Sequence, residues 1–217
     1  MKIAVIGATG STGSLVVDKA LAAGHDVVAI SRSPAVTREP ASRFTVQAGD
    51  LTDPAFLGRA IAGCDAVISC LGQNRKSKSL FATRTSPSDL LRTVARATVK
   101  AIGQGRQRFV YLSAFGVGED FKKHSLIFRV ILRLSSIHAA YVDHAEAEKT
   151  IKSSSVRWTI VKPPGLTEAD TEVPLVDKSN HWSSFETVSK TSLAAFLVQC
   201  AEDEKAVGKS MTIGEPT

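Results

Sequence analysis

Lys2-Ile3-Ala4-Val5-Ile6-Gly7-Ala8-Thr9-Gly10-Ser11-Thr12-Gly13 is the stretch whose reading decides the fold. Lys2–Ile6 is a short apolar run of the kind that makes a buried parallel strand. Leu15, Val16, Ala20 and Leu21 then recur at helical spacing. A strand, a glycine turn and a helix in that order are the context in which a glycine triplet holds a dinucleotide. The spacing is G-x-x-G-x-x-G. Gly7 lets the chain turn off the strand, Gly10 leaves room for a pyrophosphate against the backbone, and Gly13 lets the helix pack close to the strand. The first-turn amides, with Thr9, Ser11 and Thr12 among the glycines, point at the phosphates, and the helix dipole favours negative charge there. The bland alternative is a tight strand–helix turn without a ligand.

The same alternation runs on to the end of the chain. Residues 26–30, 44–48, 65–70, 108–112, 158–161 and 210–213 read as strands. Helical patterns occupy about 87–103, 138–152 and 191–201, and Asp53 caps a further helix with Pro54 in its first position. Strands alternating with helices imply crossover connections and a doubly wound, mostly parallel sheet flanked by helices. We expect one domain over residues 1–217, with residues 163–190 forming a small substrate-side lobe.

Composition narrows the class. The chain has 217 residues, 43% apolar and 22% charged, which suits an ordinary soluble globular protein. No apolar run reaches the ~20 residues that span a bilayer, so no stable membrane insertion is expected. Met1-Lys2 leads straight into the first strand, and no signal peptide is expected. Cys64, Cys70 and Cys200 are scattered, which argues against a disulfide framework or a metal site and for a reducing, cytoplasmic setting. The net charge of +6 is spread along the chain. An anionic cofactor or small-molecule substrate accounts for it without nucleic acid. A monomer or a homodimer is expected.

In a doubly wound sheet, ligands bind at the carboxyl ends of the strands. After the second strand stand Ser31 and Arg32, where an acidic residue would favour NAD. A guanidinium there grips a 2′-phosphate bidentately, so NADP is expected over NAD. Asp50 and Leu51 follow the third strand and are placed to face the adenine. Cys70, Leu71 and Gly72 follow the fourth and let the backbone pass close to the nicotinamide ribose, with Cys70 a packing residue and not a nucleophile. Ser113 and Ala114 follow the fifth, where the serine hydroxyl faces the nicotinamide. Tyr141, His144 and Glu148 share one helix face. Lys162-Pro163-Pro164-Gly165-Leu166 would cover the nicotinamide edge with backbone.

The pattern resembles the atypical short-chain dehydrogenase/reductases with an NAD(P)H-binding Rossmann domain, and within them the biliverdin reductase B / flavin reductase and NmrA-like branch. The carriers are the glycine motif, Gly49-Asp50, Asp65-Ala66-Val67-Ile68 with Leu71-Gly72, Ser113-Ala114-Phe115, Asp143-His144 and Pro163-Pro164. The resemblance implies that Ser113 lies beside the nicotinamide and that His144 borders the substrate pocket. Two departures stand out. The Tyr-x-x-x-Lys of typical short-chain dehydrogenases is missing, since Ala145 follows Tyr141 by four residues and Ala140 precedes His144 by four. Gly165 also stands where the flavin reductase branch has a histidine after its Pro-Pro. A further departure is an insertion between Phe115 and Tyr141, including an apolar stretch with basic residues over 121–134. It reads as a substrate lid or subunit contact in preference to a membrane-surface helix.

These residues imply an NADPH-dependent oxidoreductase acting on a small conjugated or aromatic acceptor such as a flavin, quinone or enone. Ser113 would orient the nicotinamide or substrate, and His144 would relay a proton near neutral pH. A non-redox isomerase or cyclase on the same fold, or a sensor that binds NADP(H) without turnover, are the alternatives. Lys178, Asn180, His181 and Trp182 are expected to wall the pocket.

Overall fold

A computed structural model describes residues 1–33, 42–73, 85–124, 126–179 and 186–216. Its elements in chain order begin with β1 (Lys2–Ile6), α1 (Ser11–Ala22), β2 (Asp26–Ser31), β3 (Phe44–Ala48), α2 (Pro54–Ala60) and β4 (Ala66–Ser69). Next come α3 (Leu90–Ile102), β5 (Arg108–Leu112), a 3-10 turn (Gly118–Lys123), α4 (Leu126–Leu134), α5 (His138–Lys152) and β6 (Arg157–Lys162). The chain closes with β7 (Gly165–Thr167), β8 (Val176–Asp177), β9 (Thr187–Ser189), α6 (Lys190–Glu202) and β10 (Ser210–Gly214). The main sheet has the order β3-β2-β1-β4-β5-β6-β10-β8, parallel except where β8 runs antiparallel to β10. This is the doubly wound architecture expected from the alternation, with strand order reversing between β1 and β4.

Burial on both faces explains the apolar strands. Ile3 and Val5 of β1 pack toward one side, in a cluster with Val16 of α1 and Leu193 and Leu197 of α6. Ala4 and Ile6 pack toward the other, with Leu57 of α2, Val94 of α3 and Ile151 of α5. The period of two sends alternate residues into two separate helix layers. Each fully buried aliphatic side chain contributes ~1.5–3 kcal/mol.

Local signals were read correctly at Asp53, whose carboxylate accepts from the amides of Ala55 (2.8 Å) and Phe56 (3.2 Å). The third helix begins at Leu90 instead of about residue 87, and its cap comes from elsewhere in the chain. Asp143 of α5 accepts from the amides of Leu91 (2.8 Å) and Arg92 (3.1 Å), while Asp89, at the N-cap, makes no side-chain bond. Of residues 163–190, β7 pairs with β9 in a small parallel sheet, whereas β8 extends the edge of the main sheet. Lys178 pairs with Glu186 at 3.7 Å. Asn180, His181 and Trp182 lie outside the described residues. Among the described residues, no helix is long and apolar enough to cross a membrane.

Candidate functional site

A groove opens where the strand order reverses, at the carboxyl ends of β1 and β4. Gly7, Thr9 and Gly10 line it from the loop after β1, and Ser31 and Arg32 from the end of β2. Leu51 enters from the loop after β3, Cys70, Leu71 and Gly72 from the loop after β4, and Leu90 from the start of α3. Nine of these ten were expected from the sequence, and Leu90 was not. They meet because parallel strands place all their carboxyl ends on one edge of the sheet.

The glycines form a cradle that side chains would fill. Gly7 adopts φ +81°, a conformation that L side chains rarely take, and a Cβ there would lie 3.0 Å from Leu71 Cδ2. A Cβ on Gly13 would lie 2.1 Å from the Gly7 carbonyl oxygen, so α1 meets the loop backbone to backbone. Gly10 is the N-cap of α1 and provides no side-chain cap. The first-turn amides, Ser11 to Gly13, are therefore left for an external acceptor. Lys190 adds a cation beside them, a residue the motif reading missed. Its Nζ donates to Ser11 Oγ (2.9 Å) and to Glu168 (2.6 Å). These features fit a dinucleotide pyrophosphate.

Other candidate positions have more specific environments. Arg32 is exposed at the groove. The buried Ser31 hydroxyl is already donated to the Ser33 carbonyl, so it shapes the turn. Asp50 is exposed and absent from the groove lining, and its Oδ1 accepts from the Thr52 amide (2.8 Å) and hydroxyl (2.7 Å). Those bonds hold its carboxyl below the ordinary range. Burial pushes the Cys70 thiol up to about 12, so it stays protonated.

Beyond the groove, β5 and β6 continue their ladder past their ends. Ser113 N donates to Val161 O (2.8 Å) and Phe115 N to Pro163 O (2.9 Å), which fixes Ser113-Ala114 against the Pro163-Pro164 segment. The helix face of Tyr141, His144 and Glu148 docks on this edge. Tyr141 OH donates to Phe115 O (2.9 Å), Tyr111 OH and His144 Nδ1 are 2.9 Å apart, and Ser113 Oγ donates to Glu148 Oε1 (2.6 Å). Glu148 Oε2 lies 3.0 Å from Lys162 Nζ, which also meets Asp120 Oδ2 (2.8 Å) and Val117 O (3.2 Å). Lys162 is 1% exposed and Glu148 3%. The sequence reading gave Lys162 only a backbone role and did not find this buried charge network.

His144 departs from the near-neutral titration expected of it. Burial pushes it down to about 4, so the ring is neutral at pH 7. Its orienting partner is Tyr111, whose hydroxyl is raised well above its ordinary value by burial and by the Glu148 and Asp143 carboxylates. Asp143 turns away to the start of α3, and it also receives Gln73 Nε2 at 3.0 Å, tying α5 to the loop beside the groove. Tyr141, with its hydroxyl committed and pushed up to about 12, is not arranged as a proton donor.

Fold and groove together define a dinucleotide-binding, doubly wound α/β protein. The model of the NAD(P)H-binding family matches residues 7–204, and the chain belongs to that family. It is 26% identical to the chloroplastic divinyl chlorophyllide a 8-vinyl-reductase of Zea mays over 99% of this chain and 55% of that protein. The chain thus spans about half the length of that relative. Among solved structures it superposes on ChuY of Escherichia coli, an anaerobilin reductase, with a TM-score of 0.78 and 19% identity over 100% of this chain and 98% of that one. A short-chain dehydrogenase/reductase of Veillonella parvula in complex with NADP gives a TM-score of 0.78 and 16% identity over 99% and 94%. These likenesses establish the Rossmann-like α/β fold.

Proposed function

We propose that the protein is an NADPH-dependent reductase of a small conjugated or aromatic acceptor such as a flavin, quinone or enone, working in a reducing, cytoplasmic compartment. The observation that carries this is the closeness of two features on one sheet edge: a glycine-cradled groove that includes Arg32, and, at the end of β5, the strand beside β4, Ser113 with the helix of His144 and Glu148 docked on it. The reductase names of the Zea mays and Escherichia coli relatives support it. Three unpaired, buried cysteines support the compartment.

The amides after Gly10 would hold the pyrophosphate of NADPH and Arg32 its 2′-phosphate, and the bound cofactor would supply hydride chemistry. The chain's own groups orient and polarise. Glu148 fixes the Ser113 hydroxyl, so this oxygen presents its lone pairs to the nicotinamide side. With Tyr111, which stays a phenol, as the donor to His144 Nδ1, the single ring proton sits on Nε2, where it would donate to the acceptor. His144 is thus a neutral hydrogen-bond donor and not an imidazolium acid.

The test is NADPH oxidation monitored with a panel of flavins, quinones and enones, for wild type, Ser113→Ala and His144→Ala. Turnover with at least one acceptor, reduced about 10²-fold or more by either substitution, is expected. A second reading, a cofactor sensor without turnover, is favoured by the commitment of the Ser113 proton to Glu148. Tight NADPH binding with no acceptor reduced would select it.

A further inference from the structure

Helix α4 carries its apolar side chains outward. Leu126 and Leu134 are each 73% exposed, Val130 53% and Ile131 41%, whereas Leu132 is 3% exposed and anchors the helix. At about 100° per residue, Leu126, Val130, Leu134 and Ile131 fall on one arc of roughly 140°. Arg133 borders that arc. Its guanidinium lies 5.5 Å over the Phe121 ring, which continues the cationic rim into the 3-10 turn that carries exposed Lys122. Residues 121–134 contain four lysines and arginines and no acidic residue.

An apolar face this exposed marks a contact surface. It does not face the cleft as a lid would, because Leu132 holds the opposite side against the protein. Ser135 fixes that end of the helix by donating from its hydroxyl (2.8 Å) and amide (3.1 Å) to the Leu132 carbonyl. A two-fold contact with a second copy would set the cationic rim against its own image, with no acid within residues 121–134 and Glu119 alone exposed in the turn before them to offset four cations. An apolar stripe bordered by cations along the helix, with Glu119 exposed in the preceding turn and Asp120 tied to Lys162, instead matches anionic headgroups above an acyl layer.

We propose that α4 and the preceding turn dock the protein peripherally on an anionic lipid surface, with the helix lying in the interface plane and not crossing it. This stands apart from the reaction proposed above.

The test is co-sedimentation of the full chain with vesicles of phosphatidylcholine alone and of phosphatidylcholine mixed with phosphatidylglycerol, at low and high salt. Binding to the mixed vesicles at least about ten-fold tighter than to neutral ones, weakened by salt, is expected. Leu126→Ser/Leu134→Ser and Lys122→Gln/Arg133→Gln should each lose about ten-fold or more of that binding, with thermal midpoint and NADPH affinity unchanged. The proposal is overturned if wild type ignores mixed vesicles at low salt, or if binding survives both double substitutions. It is equally overturned if sedimentation equilibrium shows a dimer that the leucine pair dissolves, which would assign the face to a second copy.

Discussion

Replacing Lys162 with methionine strikes the buried cation of the candidate site, which is 1% exposed. Its ammonium stands 3.0 Å from Glu148 and 2.8 Å from Asp120. Methionine keeps much of the side chain's apolar volume and removes the charge. Among the described residues Glu148 then keeps the Ser113 hydroxyl at 2.6 Å and, as a cation, Lys152 at 3.6 Å, about one-third exposed. Removing one partner of a buried pair costs ~3–5 kcal/mol, because the other charge stays buried and unpaired. Lys152 and the partial exposure of Asp120 place the cost at the lower end, about 3 kcal/mol. For a chain of this size that lowers the melting midpoint by roughly 6–12 °C. The pH dependence is a sharper signature. A stranded carboxylate sheds its charge by taking up a proton. The folded variant then binds more protons than its unfolded chain, so its stability falls as pH rises. Urea denaturation followed by circular dichroism should show a larger deficit against wild type at about pH 8 than at about pH 5. A deficit under about 1 kcal/mol, or one equal at both pH values, would refute the assignment of Lys162 as the counter-charge. Lys162→Met/Glu148→Gln should recover part of the loss, since Glu148 is no longer stranded.

The glycines separate folding from binding: Gly13→Ala places its Cβ 2.1 Å from a carbonyl oxygen and should cost at least about 3 kcal/mol of stability. Gly10→Val, at φ −77° with its nearest contact at 3.2 Å, should fold and bind no NADPH, as thermal melts and fluorescence titration would show. Arg32→Ala should weaken NADPH by about 1.5–3 kcal/mol and NADH little. Equal wild-type affinities for the two in calorimetric titration would remove the role given to Arg32. His144 titrates at about 4 in the fold against an ordinary value of 6.5, so between those values the unfolded chain holds the extra proton and stability is lost as pH falls. That loss amounts to about 3 kcal/mol, and denaturation midpoints of His144→Gln should be correspondingly flatter from pH 6.5 to 4.

The sequence by itself determined the sheet and the groove. Lys2–Ile6 and Gly7 to Gly13 specify strand, turn and helix locally, and the apolar runs at 26–30, 108–112 and 158–161 supply further parallel strands. Once the strands are parallel, every loop after a strand reaches the same edge. Arg32, Leu51 and Gly72 could therefore be placed around one groove without knowing any distance. The face of Tyr141, His144 and Glu148 was legible for the same reason, because helical spacing is local.

What those side chains meet was decided only by tertiary structure. Tyr111 and His144 are 33 residues apart, Ser113 and Glu148 35, and Asp120 and Lys162 42. No period or motif links such positions; packing of α5 and the 3-10 turn against the ends of β5 and β6 does. Burial then resets the chemistry: it keeps His144 neutral, makes Lys162 a counter-charge, and turns Asp143 into the cap of a helix some fifty residues earlier in the chain. Hydrogen bonding and solvation depend on what lies within a few ångströms, and that neighbourhood exists only once distant parts of the chain have come together.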